Sequence, residues 1–204
     1  MGVYLLRIFS ISPDYSTRWN FSHELFRKAL YEGHDVIHCG PGHPISLSPK
    51  IAYVIRDYNP DIIFVHHSKH VRQFNLSTVE IPKVLFQIDY FPEREPWRTI
   101  YIDTQKFQVV VFPTTTQMET YQRCRYSKGY PIPYYLPFGV DTDVFRNIHL
   151  NRDLITSGIF SINNSEYPQR EQIIHLLKKI PNTFSKGVYQ AKEALSKEDY
   201  ITIL

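Results

Sequence analysis

The feature that most restricts how this chain can fold is a series of short apolar runs set apart by helical patterns. The runs are Tyr4–Ile11, Asp35–Cys39, Ile62–Val65, Val84–Ile88, Val109–Phe112 and Tyr134–Leu136. Most are built from Leu, Ile, Val and Phe without polar alternation, as expected of strands covered on both faces. Between them, Phe21, Leu25, Ala29 and Leu30 recur at helical spacing until Gly33. Ile51, Val54, Ile55 and Tyr58 form a second stripe that ends before Pro60, and Trp97–Tyr101 and Thr116–Arg125 read as further helical stretches. Strands alternating with helices predict a parallel sheet, and right-handed crossovers reduce the options to a Rossmann-like, doubly wound α/β domain. Ligands of such sheets bind beyond the carboxyl ends of the strands, near the switch in strand order. The segments predicted there are Ser12–Arg18, His66–His70, Asp89–Glu95 and Thr114–Thr116.

After Phe145 the pattern restarts. Leu154–Ile162 is strand-like around Gly158, and Ile173, Leu176, Leu177 and Ile180 form the stripe of a helix closed by Pro181. Ser185–Tyr189 reads as a short strand and Glu193–Leu204 as a helical stretch. So little structure cannot bury a core alone. The expected organisation is a domain over residues 1–146, a linker over 147–153, and over 154–204 the opening of a second, incomplete α/β domain, or else a segment that packs onto the first.

Composition excludes several classes. A net charge of +3 with no basic run argues against nucleic-acid binding. No stretch approaches the roughly 20 apolar residues of a membrane span. The apolar N-terminus lacks a basic leader and a cleavage site, so it reads as a first strand, and the expected location is cytoplasmic. Cys39 and Cys124 form no metal-type pair and read as two buried or half-buried thiols of a reducing compartment, with a disulfide as the alternative.

Two strand ends carry the candidate chemistry. His66, His67 and His70 form the densest polar cluster. His66 could hydrogen-bond a ligand, or join His70 and Asp89 around a metal, although a strand-to-loop setting does not impose the ligand geometry a helix would. The plainer alternative is a solvated loop. Asp89 follows Val-Leu-Phe-Gln-Ile and could accept a proton from a hydroxyl, or simply cap a turn.

Several segments, taken in order, resemble GT-B glycosyltransferases of the family-4 type. Glu32-Gly33-His34-Asp35-Val36 resembles the turn between their first helix and second strand, and Pro60–His66 their Pro-Asp-strand-His segment. Tyr134–Arg146, reading Tyr-Tyr-Leu-Pro-Phe-Gly-Val-Asp-Thr-Asp-Val-Phe-Arg, resembles the segment that closes the first domain; its Asp141 and Asp143 read as braces of the interdomain loop. Leu154–Leu177 resembles the start of the nucleotide-sugar domain, and Tyr167–Leu177 with Gly187–Leu204 is similar to the CgeB-like branch.

The resemblance implies transfer of a sugar from a nucleotide-diphosphate sugar to a carbohydrate, lipid or protein acceptor, with no cofactor and no metal. Asp89 and His66 would be the catalytic residues, Asp14, Arg18 and Lys69 would line the acceptor groove, and Gly158 and Arg170 would meet the donor diphosphate. The Ser12–Arg18 loop has no glycine where relatives usually carry them. The chain also stops before the segment where retaining members place a Glu-x7-Glu motif. It is therefore expected to be a truncated or split member with weak or absent transfer alone, or one completed by a second chain. Two other classes remain open: a non-catalytic Rossmann-like binding module, and a metal-dependent hydrolase using His66, His70 and Asp89.

Overall fold

The apolar runs become the strands of one parallel sheet. A computed structural model describes residues 5–13, 28, 31–48, 51–72, 74–125, 129, 131–137, 156–161, 169–181 and 183–188. Six strands, β1 (Arg7–Ile11), β2 (Asp35–Cys39), β3 (Ile62–His66), β4 (Lys83–Phe86), β5 (Val109–Phe112) and β6 (Ile132–Tyr135), lie in the order β2-β1-β3-β4-β5-β6. Every pair is parallel, with Ser10 opposite His38 and Phe64, and His66 opposite Phe86. The chain crosses from one side of β1 to the other between β2 and β3, which puts the topological switch point at the carboxyl ends of β1 and β3.

Parallel strands need cover on both faces, and two apolar clusters provide it. On one face Phe9, Ile11, Ile63, Val65, Leu85, Val110 and Phe112 pack against α1 (Ile51–Tyr58), α2 (Trp97–Thr104) and α3 (Thr115–Cys124) through Ile51, Ile55, Tyr101, Ile102 and Tyr121. On the other, Ile8, Phe64 and Phe86 pack with Tyr31, Val36 and Ile88. This is the period-two alternation of a pleated strand with apolar residues in both registers.

The amino edge of the sheet is closed by polar contacts. The Asp61 carboxylate accepts from the Arg7 backbone N–H at 2.8 Å, and the Arg7 guanidinium donates to the Asn59 carbonyl at 3.1 Å and lies over the Tyr58 ring. The Pro-Asp pair before β3 is thus a structural clamp on β1. Lys83 is buried at this edge and donates to the Val79 carbonyl at 2.5 Å; burial, then the charge of Lys106, lowers its pKa.

Several element boundaries differ from the sequence expectation by a few residues, two of them for a visible reason. The fourth strand stops at Phe86 because Gln87 and Ile88 enter a side-chain network at the strand end. The sixth begins at Ile132 and includes Pro133. It is an edge strand whose Ile132 and Leu136 donate to Gln108 and Phe112, so the proline nitrogen faces the open side. Cys39 is buried as expected, but Cys124 is exposed, because it ends α3 outside the apolar stripe; both thiols are free.

By its backbone contacts the chain divides into a unit spanning Met1–Gly139 and a second spanning Val140–Leu204. In the second, β7 (Thr156–Ser161), α4 (Arg170–Leu177) and β8 (Thr183–Val188) make one βαβ unit with parallel strands, Gly158 opposite Ser185. The expected helices over Phe21–Glu32 (beyond its last residues) and Glu193–Leu204, and the braces Asp141 and Asp143, lie outside the described residues.

One glycine is dictated by packing. Gly40 follows β2 with φ +139°, and a Cβ there would meet the Ser12 carbonyl oxygen at 2.3 Å. Gly40→Ala is expected to cost roughly 1–3 kcal/mol through strain and collision. A lower urea midpoint with an unchanged slope checks this; an unchanged midpoint contradicts it.

Candidate functional site

The site is built where β3 and β4 end side by side. β3 delivers His66, His67 and Ser68, all buried, while Lys69 is exposed. The His66 ring stacks on Phe86 with centroids 5.3 Å apart and planes within 4°, and on Phe64 at 6.4 Å. Its register opposite Phe86 explains this: the imidazole continues a row of aromatic rings on one face of the sheet. At 4% exposure His66 is part of the packing below the loops more than a side chain reaching from them.

After His66 the backbone turns sharply. His67 holds φ 75°, ψ 120° while its N–H donates to the Phe86 carbonyl at 2.8 Å. Gln87, fully buried at the end of β4, joins the two loops. Its Oε1 accepts from the Ser68 backbone N–H at 3.2 Å, which fixes the amide orientation. Its Nε2 therefore donates to His67 Nδ1 at 3.2 Å and to the Ile88 carbonyl at 2.5 Å. With Nδ1 accepting, the ring proton of neutral His67 sits on Nε2.

Asp89 follows with φ 51°, exposed. Its carboxylate makes no hydrogen bond or ion pair with any described residue, so it caps no turn there. Its backbone is held instead. Arg98, buried in the first turn of α2, donates from Nη1 to the carbonyls of Asp89 at 2.8 Å and Ile88 at 3.2 Å, and pairs through Nη2 with Glu95. Tyr90 anchors the next position, its hydroxyl sharing a hydrogen bond with Thr99 and its ring packed edge-on to Phe112 and Tyr121.

On the far side of the switch point, Ser10 shares a hydrogen bond with the Tyr31 hydroxyl. The Tyr31, His38 and His43 rings pack together there at 5.0 and 5.2 Å between centroids. Ser12, at the end of β1, is buried and donates its N–H to Cys39.

The structure thus brings the His66–Ser68 and Asp89 segments together and leaves Lys69 outward. Asp14 and Arg18 lie outside the described residues, and of His70 only the backbone is described. Gly158 lies inside β7, three residues before its end, and Arg170 is the first residue of α4, half-buried. Among the described residues no group of three His, Cys, Asp or Glu side chains could hold a metal ion, and no helix is long and apolar enough to cross a membrane. Gln87, Arg98 and Ser68 were missed in the sequence. Gln87 had a signal, as a polar residue inside an apolar run that would need a buried partner. Arg98 had none, since an arginine opening a helix normally reads as solvated.

No protein-family model and no curated protein matches the chain. Solved structures do. Sucrose-phosphate synthase from Thermosynechococcus elongatus superposes with a TM-score of 0.60 over 97% of this chain, at 12% identity. The fold is shared with this synthase. Spinosyn rhamnosyltransferase SpnG, in complex with thymidine diphosphate and without it, aligns over 89% of this chain at TM-scores of 0.49 and 0.47 and identities of 9% and 10%. The chain spans 65% of the length of each of these structures. At such identities the likeness establishes the fold alone.

Tyrosines beneath the site predict the response to alkali. Burial above all pushes Tyr90 up to about 12, and raises Tyr101 and, with its bond to Asp103, Tyr121 further. These groups stay protonated in the fold at a pH where the unfolded chain, titrating near 10, has lost its protons. Their contribution is complete below about pH 10 and falls above it, by roughly 1 kcal/mol per pH unit for each group. Denaturant midpoints measured from pH 9 to 11.5 should show this fall, and Tyr121→Phe should flatten it. A midpoint independent of pH contradicts the assignment.

Proposed function

We propose that this chain supplies the acceptor-side domain, and the opening of the nucleotide-sugar domain, of a GT-B glycosyltransferase. The proposed domains are those expected above, 1–146 and 154–204; the division of the chain after Gly139 supports a two-unit organisation. The observation that carries the reading is the six-stranded parallel sheet in a chain that superposes over 97% of its length on sucrose-phosphate synthase, with the exposed Asp89 at the carboxyl edge of that sheet. Sugar transfer needs an acceptor hydroxyl held against the anomeric carbon, a group that takes its proton, and donors that stabilise the departing diphosphate.

Asp89 is the proposed proton acceptor. Its exposure, and its lack of a side-chain partner among the described residues, suit a base that must meet a hydroxyl from outside. His66 supports it by packing and Lys69 faces the acceptor; Asp14 and Arg18 are proposed to complete that groove. Arg170 and Gly158 are the proposed contacts to the donor diphosphate, in the second unit. The CgeB-like affinity and a cytoplasmic setting belong to the same proposal.

A second reading has an observation of its own. On α4, Ile174 is buried while Ile173 and Leu176, with Ile180 just beyond the helix, are exposed. That stripe favours an interaction module completed by another polypeptide.

Calorimetric titration with a panel of nucleoside diphosphates, followed by assay with the matching nucleotide sugars, separates the two. The transferase reading expects nucleotide binding weakened about tenfold by Arg170→Ala. It expects any transfer, however weak for this chain alone, to fall roughly 100-fold or more in Asp89→Asn. Neither binding nor turnover, with a co-purifying protein seated on α4, overturns it in favour of the module.

A further inference from the structure

Four described residues other than glycine hold positive φ: Asn59, His67, Asp89 and Lys106. Asn59 and Lys106 directly follow the last turns of α1 and α2, where a left-handed residue commonly ends a helix. His67 and Asp89 have no such reason. They follow neighbouring strands at the ligand edge, and His67, with ψ 120°, falls outside even the left-handed helical basin. Backbone of this kind persists only where its surroundings hold it, and such positions gather at functional sites.

The surroundings that hold it are a buried polar chain. Ser68 donates to Gln87, Gln87 donates to His67 and to the Ile88 carbonyl, and Arg98 donates to that same carbonyl and to Asp89. Gln87 is 0% exposed and Arg98 4%. The arrangement is costly for the fold. A guanidinium is removed from water, its Nε makes no hydrogen bond, and it stands in the first turn of α2, where the helix dipole disfavours a cation. Glu95 compensates the charge, yet sheet packing alone would be served by an apolar residue at either position.

We propose that Gln87 and Arg98 are positioning residues that hold the His67 and Asp89 turns as one preorganised unit, leaving the Asp89 carboxylate free to meet a ligand hydroxyl. The role given to the carboxylate rests on the transferase reading. The coupling of the two turns does not. Gln87 sets the His67 tautomer and ties it to the β4 end, while Arg98 fixes the two carbonyls on either side of the Ile88–Asp89 bond. Neither side chain touches substrate in this scheme; each acts through the backbone it holds.

The test uses the whole chain with Arg98→Met, Arg98→Lys, Gln87→Met and Asp89→Asn. Backbone couplings at His67 and Asp89 and the imidazole nitrogen shifts of His67 are followed by NMR. In Gln87→Met the His67 nitrogen shifts should move toward a tautomeric mixture. In Arg98→Met, Asp89 should leave the left-handed region, and Arg98→Lys, which keeps a donor for the Asp89 carbonyl, should restore it. The amides of Phe9, Leu85 and Val110 should stay in place throughout. If Arg98→Met does not fold, Gln87→Met and Arg98→Lys decide the matter. Where transfer is measurable, Arg98→Met should lower kcat on the order of 100-fold with little change in KM, and should add nothing in the Asp89→Asn background. Unaltered couplings and nitrogen shifts in the variants, or losses that add to that of Asp89→Asn, overturn the proposal. Absence of nucleotide binding and transfer would remove the transferase reading while the NMR result still judges the positioning.

Discussion

A parallel sheet has no face it can leave to water, and the rest of this structure follows from that constraint. The ladder from β2 to β6 requires crossovers, the crossovers bring helices, and α1, α2 and α3 close over one strand register while Tyr31 packs against the other. Backbone groups at the strand ends must then find partners outside the ladder. At the amino edge they find Asp61 and Arg7, a clamp on β1 made of surface charges. At the carboxyl edge they find Gln87 and Arg98, which are buried. The second is the edge proposed above to meet ligands.

Burial shapes the chemistry available there. His66 is buried within its aromatic row, whereas Asp89 is exposed. The loop that carries Asp89 stands on a base of tyrosines, in which Tyr90 packs on Tyr121 and Tyr121 donates to Asp103. Its hydroxyls resist ionisation because little water reaches them. An exposed acid on a buried, hydrogen-bonded support is the preorganised arrangement that proton transfer favours.

Much of the fold could be read from the chain because its signals are local. An apolar run such as Val109–Phe112, or the stripe Ile51, Val54, Ile55 and Tyr58, announces its own secondary structure, and both appear with the expected bounds. Errors arose where a neighbour intervened. The expected strand Tyr134–Leu136 leaves out Pro133, which β6 includes because it is an edge, and Ile88 reads as strand although Gln87 and Arg98 claim its carbonyl.

By itself, then, the sequence determined the class of fold, the order of its elements and the loops that would gather at the carboxyl edge. Tertiary structure alone decided that β3 and β4 end together, that Gln87 reaches Ser68 and His67, and that Arg98 grips Asp89. The reason is physical. Periodicity records which side of an element is buried, whereas a hydrogen bond between residues 9 or 20 positions apart depends on strand order and register, which no local pattern contains.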